Sequence, residues 1–415
     1  MTTPPLSAAS EYSLGFYARQ PVFDAKGGVW AYSIYFRDGL ASLTADGRRE
    51  VATTSVLATV MGEAAGQRRI VKFAAQALVY ELPLLFPRET LVVEVPEDMA
   101  ADPSAMEALR RLKERGYTIA VSRFQADPKA AALHALADVL WVDALECGAD
   151  RLAELVAACR EHGAVPGLMR IETGAVHQTA LTLGFQLFQG HYFQEPQIVA
   201  TRKLSSSQFS RFKLMQAIEQ EDPDLKSLAE TIRADVALSH KLFSLLNSAF
   251  FSFPHPVESV QQALALLGWQ PLRTWIRLVI LTDLTPPGKS SELPRAAALR
   301  GRFLEQAARS LEGGSRPRPE SLSLVGMFSL LPALLDLSMP TILESLRLPD
   351  EVARGLADPA HPAAQWLALA EAFERADWPT VQTIIAALGL SPLAVAQAYS
   401  QSVQWTDALF RGVPG

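Results

Sequence analysis

Residues 18 to 39 read ARQPVFDAKGGVWAYSIYFRDG. Two apolar runs that alternate with period two flank a Lys26-Gly27-Gly28 turn, which is the pattern of a β-hairpin. Working outward, further β-rich runs follow at RIVKF (69–73), TLVVEV (90–95), YTIAVSRF (117–124), DVLWVDA (138–144), AVPGLM (164–169) and GFQLFQG (184–190). Helical patterns lie between them. PSAMEALRRLKERG opens with Pro103 and closes on Gly116, the residue types that start and stop a helix. Strands alternating with helices predict parallel pairing, and seven or eight strands in under 200 residues fit a (β/α) barrel. An open doubly wound sheet would produce much the same string.

After Pro196 the strand signal ends. Apolar residues recur at spacings of three and four, as in Val260, Leu264 and Leu267, and predict an all-helical second half. Gly268 followed by Pro271 marks a helix stop and a new start. The expected division is a barrel over 1–200 and a helical domain over 201–415. The stretch SLSLVGMFSLLPALL (321–335) is too short to cross a bilayer and contains Pro332, so it predicts one buried helix.

Composition narrows the function. The chain has 415 residues, 49% hydrophobic and 20% charged, which is globular and long enough for two cores. A net charge of -6, relieved only by RRLKERG at 110 to 116, makes nucleic acid a poor partner. Two cysteines, Cys147 and Cys159, stand twelve apart with no histidine at ligand spacing, which supports neither a disulfide framework nor a zinc site and suits a reducing cytoplasm. The opening MTTPPLSAAS lacks the basic and apolar regions of a signal peptide and reads as a short disordered lead-in. GKS at 288–290 has Asp283 where a phosphate loop needs glycine, and FFSFPHP (250–256) reads as interhelical aromatic packing.

Five blocks taken in order, the opening ARQPVFDAKGGVWAYSIYFR, LVVEVPED, GFQLFQGHYFQEP, LLNSAFFSFPHPVESVQQALALLGWQPLRTWIRL and AFERADW, resemble the bacterial EAL-HDOD signalling proteins. The resemblance spans about Leu14 to Leu409. It implies a modified TIM barrel of the EAL type, which in active relatives hydrolyses cyclic di-GMP with two divalent metals, followed by a helical HDOD domain descended from HD hydrolases.

Hydrolysis of a phosphodiester by metal-activated water requires hard carboxylate oxygens and a base. Under the resemblance, the metal-ligand Glu of the EAL word is Ser33, the ligand Asn is Lys72, the paired Asp are Ser122 and Arg123, the catalytic Lys is Trp141, and the general-base Glu is Met169. Those exchanges shift the pocket by about five positive units, which repels a dication. Gln20, Arg37, Glu94, Glu97, Asp143, Glu172 and Gln189 remain at nucleotide-binding or structural positions. Arg37, Lys72 and Arg123 offer charge to a phosphate. Alternatively, the old site residues pair among themselves, with Arg123 answering Glu94 or Glu172.

The HD doublet of the helical domain falls on Ser329 and Leu330, inside the apolar helix predicted above. None of the seven histidines precedes an aspartate. His240, alone on its helix, reads as a surface or core residue. Three readings stand in competition: a catalytically inactive cytoplasmic adaptor that binds other signalling proteins, a metal-independent cyclic di-GMP receptor, and an active phosphodiesterase. The first is favoured, with no cofactor or metal, weak cyclic di-GMP binding at most, no membrane insertion, and a plausible homodimer.

Overall fold

The computed structural model describes residues 17–36, 67–195, 206–220, 223–247, 251, 253–285, 290–311, 317–346 and 348–411. The lead-in, Arg37 and most of the GKS word lie outside the described residues.

Eight strands close into a ring in sequence order: β1 (Tyr17–Asp24), β2 (Val29–Phe36), β3 (Arg69–Lys72), β4 (Leu91–Pro96), β5 (Thr118–Ser122), β6 (Val139–Asp143), β7 (Val165–Ile171) and β8 (Leu187–Gly190). The closed ring decides between barrel and open sheet. β1 runs antiparallel to both its neighbours, whereas the pairs from β2/β3 to β7/β8 are parallel. The reversal is made by the hairpin. Gly27 takes φ 81°, the left-handed position that the three-residue loop between Asp24 and Gly28 requires, and the Asp24 carboxylate accepts from the backbone N–H of Lys26 and Gly28 at 2.8 and 2.9 Å.

Strand alternation sorts the side chains. Val22, Ala31, Ile70, Val92, Ala120, Val139, Trp141 and Leu187 form a separate apolar cluster within the ring. Trp141 is fully buried there. Its register partner on β7 is Gly167, and a Cβ at that position would meet the indole Cε3 at 2.3 Å. A residue without a side chain is what admits the tryptophan. Outside the ring lie α1 (Ala75–Val79), α2 (Pro103–Glu114), α3 (Ala131–His134), α4 (Ala149–Glu161) and α5 (Gly174–Leu183). The α2 boundaries agree with the Pro103 and Gly116 signals, and the Asp102 carboxylate caps it.

The second half is helical: α6 (Ser206–Ile218), α7 (Leu225–Ala234), α8 (Val236–Leu246), α9 (Val260–Leu267), α10 (Trp269–Leu284), α11 (Glu292–Arg309), α12 (Pro319–Phe328), α13 (Leu331–Leu335), α14 (Met339–Ser345), α15 (Asp350–Ala357), α16 (Pro362–Glu374), α17 (Trp378–Leu388) and α18 (Pro392–Arg411). The expected single helix over 321–335 is two, because Pro332 in the first turn of α13 has no N–H to continue α12. Both pieces are buried, through Leu322, Val325, Phe328, Leu331 and Leu334. Among the described residues no single helix is long and apolar enough to cross a membrane. Phe251 stacks on Phe253 and meets Trp275 edge-on, as interhelical packing requires. His240 is exposed.

Candidate functional site

The alternation that points Val22, Ile70, Val92 and Ala120 into the ring also turns Gln20, Ser33, Tyr35, Lys72, Glu94, Ser122, Asp143, Met169 and Gln189 toward its axis, at the C-terminal ends of the parallel strands. β1 is reversed, so Gln20 reaches that end from before Val22. Nine of the expected positions are thereby drawn together once Trp141, one layer below, is included. Glu97, Arg123 and Glu172 are placed differently.

A hydrogen-bond chain crosses the β8/β1/β2 side of the mouth. Gln189 Nε2 donates to Gln20 Oε1 at 2.9 Å and to the Tyr35 hydroxyl at 2.6 Å. Burial pushes the Tyr35 phenol well above its usual range, and the nearby Glu94 charge adds to the effect. Opposite, burial raises the Glu94 carboxyl while Lys72 and Ser122 pull the other way. Lys72 itself is exposed and Ser33 is buried. Met169 packs on the lumen cluster.

Asp143 is buried and ion-paired with Arg170, which also reaches Glu146 at 3.0 Å. Arg170 has φ 57° where the β7/β8 register shifts between Leu168 and Ile171, an irregularity that redirects its side chain. The hydrogen bond it donates to Asp143 is the main reason the Arg170 guanidinium holds its proton more tightly than usual. The expectation that Arg123 answers Glu94 or Glu172 is corrected: Arg123 pairs with Asp98 at 3.1 Å on the surface, and Glu172 is exposed. Glu97 is buried and structural. Its carboxylate accepts from the backbone N–H of Gln125 and Asp127, at 3.1 and 3.3 Å, and meets His134 Nε2 at 2.8 Å.

The helical half completes the mouth. The Glu374 carbonyl, at the end of α16, accepts from Gln20 Nε2 at 2.8 Å and lies 3.3 Å from His191 Nε2. The Glu374 carboxylate takes a two-pronged pair from Arg300 Nε and Nη2 at 2.8 and 2.7 Å, and a third bond from Gln194 at 3.1 Å. Arg300 Nη1 then donates to Ser329 Oγ at 2.6 Å. Ser329, expected within a helix, is the C-cap of α12. It holds an arginine where the resemblance would place part of a metal-binding doublet. On the other face of β1, Arg19 pairs with Asp407 of α18 at 2.8 Å, Arg295 shares that carboxylate, and Tyr32 donates to Glu292 at 2.8 Å.

Sequence reasoning missed Tyr35, Arg170, His191, Gln194, Arg300 and Glu374. Two signals were present. Tyr35 is two residues from Ser33 and so shares its face, and Glu374 lies within the quoted AFERADW block. Among the described residues, no group of three or more His, Cys, Asp or Glu side chains is placed to hold a metal ion.

Residues 206–312 match the HDOD domain family. A closed barrel with an antiparallel first strand stands ahead of that domain, the order of parts that the resemblance to EAL-HDOD proteins implies. It is 29% identical over 407 residues to the uncharacterized protein YuxH of Bacillus subtilis, covering 95% of this chain and 98% of that one. It is likewise 29% identical over 405 residues to the cyclic di-GMP phosphodiesterase CdgJ of Vibrio cholerae, covering 95% and 93%. Among solved structures, the EAL domain of FimX from Pseudomonas aeruginosa bound to c-di-GMP aligns at 18% identity and a TM-score of 0.36, covering 45% of this chain and 91% of that one.

Proposed function

We infer that the chain is a catalytically silent signalling adaptor of the cytoplasm, with an EAL barrel in residues 1–200 and an HDOD domain in 201–415, working through protein contacts in cyclic di-GMP-linked control. The link to the nucleotide rests on the relative named as a cyclic di-GMP phosphodiesterase, aligned across both halves. The silence rests on the donor set of the mouth. A divalent pair needs several carboxylate oxygens and a base near the attacked phosphate. The inward positions carry Ser33, Lys72, Ser122 and Met169, while the two inward carboxylates are Glu94, beside Lys72, and Asp143, paired with Arg170. These residues do not fit two metal ions.

A second reading, metal-independent nucleotide binding, is favoured by the exposed Lys72 ammonium and the amides of Gln20 and Gln189 in one mouth. Incubation with cyclic di-GMP and Mg²⁺ or Mn²⁺, followed by product separation, is expected to yield no linear dinucleotide. Turnover at a rate proportional to protein would sink the adaptor. Calorimetric heat without metal would move the assignment to a receptor, and affinity capture from the native host identifies the protein partner.

A further inference from the structure

We propose that the C-terminal end of α16 is a gate on the barrel mouth, held shut by Arg300, through which the helical half controls access to that mouth. The argument starts from an unbroken chain of contacts: Arg300 to the Glu374 carboxylate, the Glu374 carbonyl to Gln20, and Gln20 to Gln189 and Tyr35. The Arg300 and Glu374 side chains are 3% and 15% exposed, so this pair is shielded from solvent screening and geometrically fixed by its two-pronged form. Beyond Glu374 the backbone turns sharply at Ala376, φ 55°, and Asp377 caps α17 by accepting from Thr380 N–H at 3.3 Å. The carbonyl is thus presented to Gln20 by structure on both sides of it.

A glutamine amide in this setting is committed. Its oxygen is taken by Gln189 and one N–H by Glu374. An anionic, oxygen-rich ligand drawn in by Lys72 and accepting from both N–H groups of the Gln20 amide would have to displace the Glu374 carbonyl. Conversely, withdrawal of α16 frees Gln20 and loosens Gln189 and Tyr35. Occupation of the mouth and docking of α16 are therefore opposed, which by linkage makes each report on the other. The ligand half of this statement rests on the receptor reading above, whereas the mechanical half does not.

The test separates the two halves. In the full-length protein, the side-chain amide resonances of Gln20 and Gln189 are assigned in ¹⁵N spectra by their loss in Gln20→Leu and Gln189→Leu. Arg300→Met, and the milder Glu374→Gln if the first does not fold, are expected to shift both signals and speed their exchange with water at least tenfold. Unchanged signals in a folded variant overturn the gate. Calorimetry with cyclic di-GMP without metal is then expected to show at least tenfold tighter binding by the variant than by the parent. Weaker binding by the variant also overturns the gate. Moved amide signals with no nucleotide binding in either protein uphold the gate and refute the receptor reading alone.

Discussion

Gly167→Ala tests whether the lumen is sealed by Trp141. The new Cβ would lie 2.3 Å from Cε3 and 2.4 Å from Cζ3 of the indole, against the roughly 3.5–4.0 Å at which carbon atoms rest. The ring must move by more than an ångström, yet Trp141 has no exposed surface and is packed among the lumen side chains. Overpacking of this kind costs about 1–3 kcal/mol, and a rigid ring with no free space puts the cost near the top of that range, about 3 kcal/mol. The backbone raises no objection, since Gly167 is not among the glycines of positive φ. Trp141→Leu removes the obstruction and leaves a cavity, which also costs about 3 kcal/mol. If the two residues acted independently, the double variant would lose about 6 kcal/mol. With the obstruction gone, alanine at 167 is nearly neutral, so the double variant should match Trp141→Leu alone. Urea titration followed by far-ultraviolet circular dichroism reads this coupling of about 3 kcal/mol. A double variant that loses the full sum would refute the claim that Gly167 exists to admit the tryptophan.

Other outcomes follow from the buried charges. Arg300→Met leaves the Glu374 carboxylate buried without its cation and should destabilise the fold by about 3–5 kcal/mol, read as a lower melting temperature at pH 7 and partly restored by Glu374→Gln in the same chain. Burial opposes ionisation of Glu374 and Asp407, but Arg300 for the first and Arg19 for the second hold their carboxyls below the ordinary carboxylate range. Their contribution is therefore complete above the unfolded-state values near 4–4.5 and lost as pH falls through the lower folded-state values, so melts should decline below about pH 4.5; a flat profile down to pH 3 contradicts this. Burial holds the His134 imidazole below its usual value despite the pull of Glu97. The unfolded chain then takes up this proton first, so stability should fall as pH drops below about 6.5, and His134→Gln should flatten melting temperatures between pH 7 and 5. Finally, Ser122→Asp with Arg123→Asp adds two carboxylates yet should yield no hydrolysis of cyclic di-GMP, because Ser33 and Met169 remain; linear dinucleotide in that assay would show that other positions matter.

The barrel was legible because its signals are local. A two-residue period, a glycine turn at 27 and a proline-to-glycine helix at 103–116 each depend on nearby residues, whereas closure of the sheet was left open by the pattern and is decided by the ring itself. The positions at the mouth came through the family resemblance, and strand parity in the structure explains why Ser33, Lys72, Glu94 and Ser122 share one face. What stayed hidden is pairing. Asp143 finds Arg170 because of a backbone irregularity at φ 57°, which no residue type there announces. Arg123 faces the surface and Asp98 for a comparable reason, its own φ of 57°. Glu374 reaches Gln20 across 354 residues, a contact fixed by how helices stack on the barrel and not by any local pattern. The break at Ser329 was in view through Pro332, but a strong run of apolar residues outweighed it in the reading of a single helix.

The reversed first strand has a mechanical consequence. Arg19 and Gln20 are consecutive, so they project from opposite faces of β1, yet both are held by the helical half, one through Asp407 on α18 and the other through the Glu374 carbonyl on α16. A strand gripped on its two faces resists being peeled from either side, and relative motion of the grips reaches it as torsion. One residue inserted between positions 19 and 20 would put both side chains on the same face, so that only one of the two grips could hold.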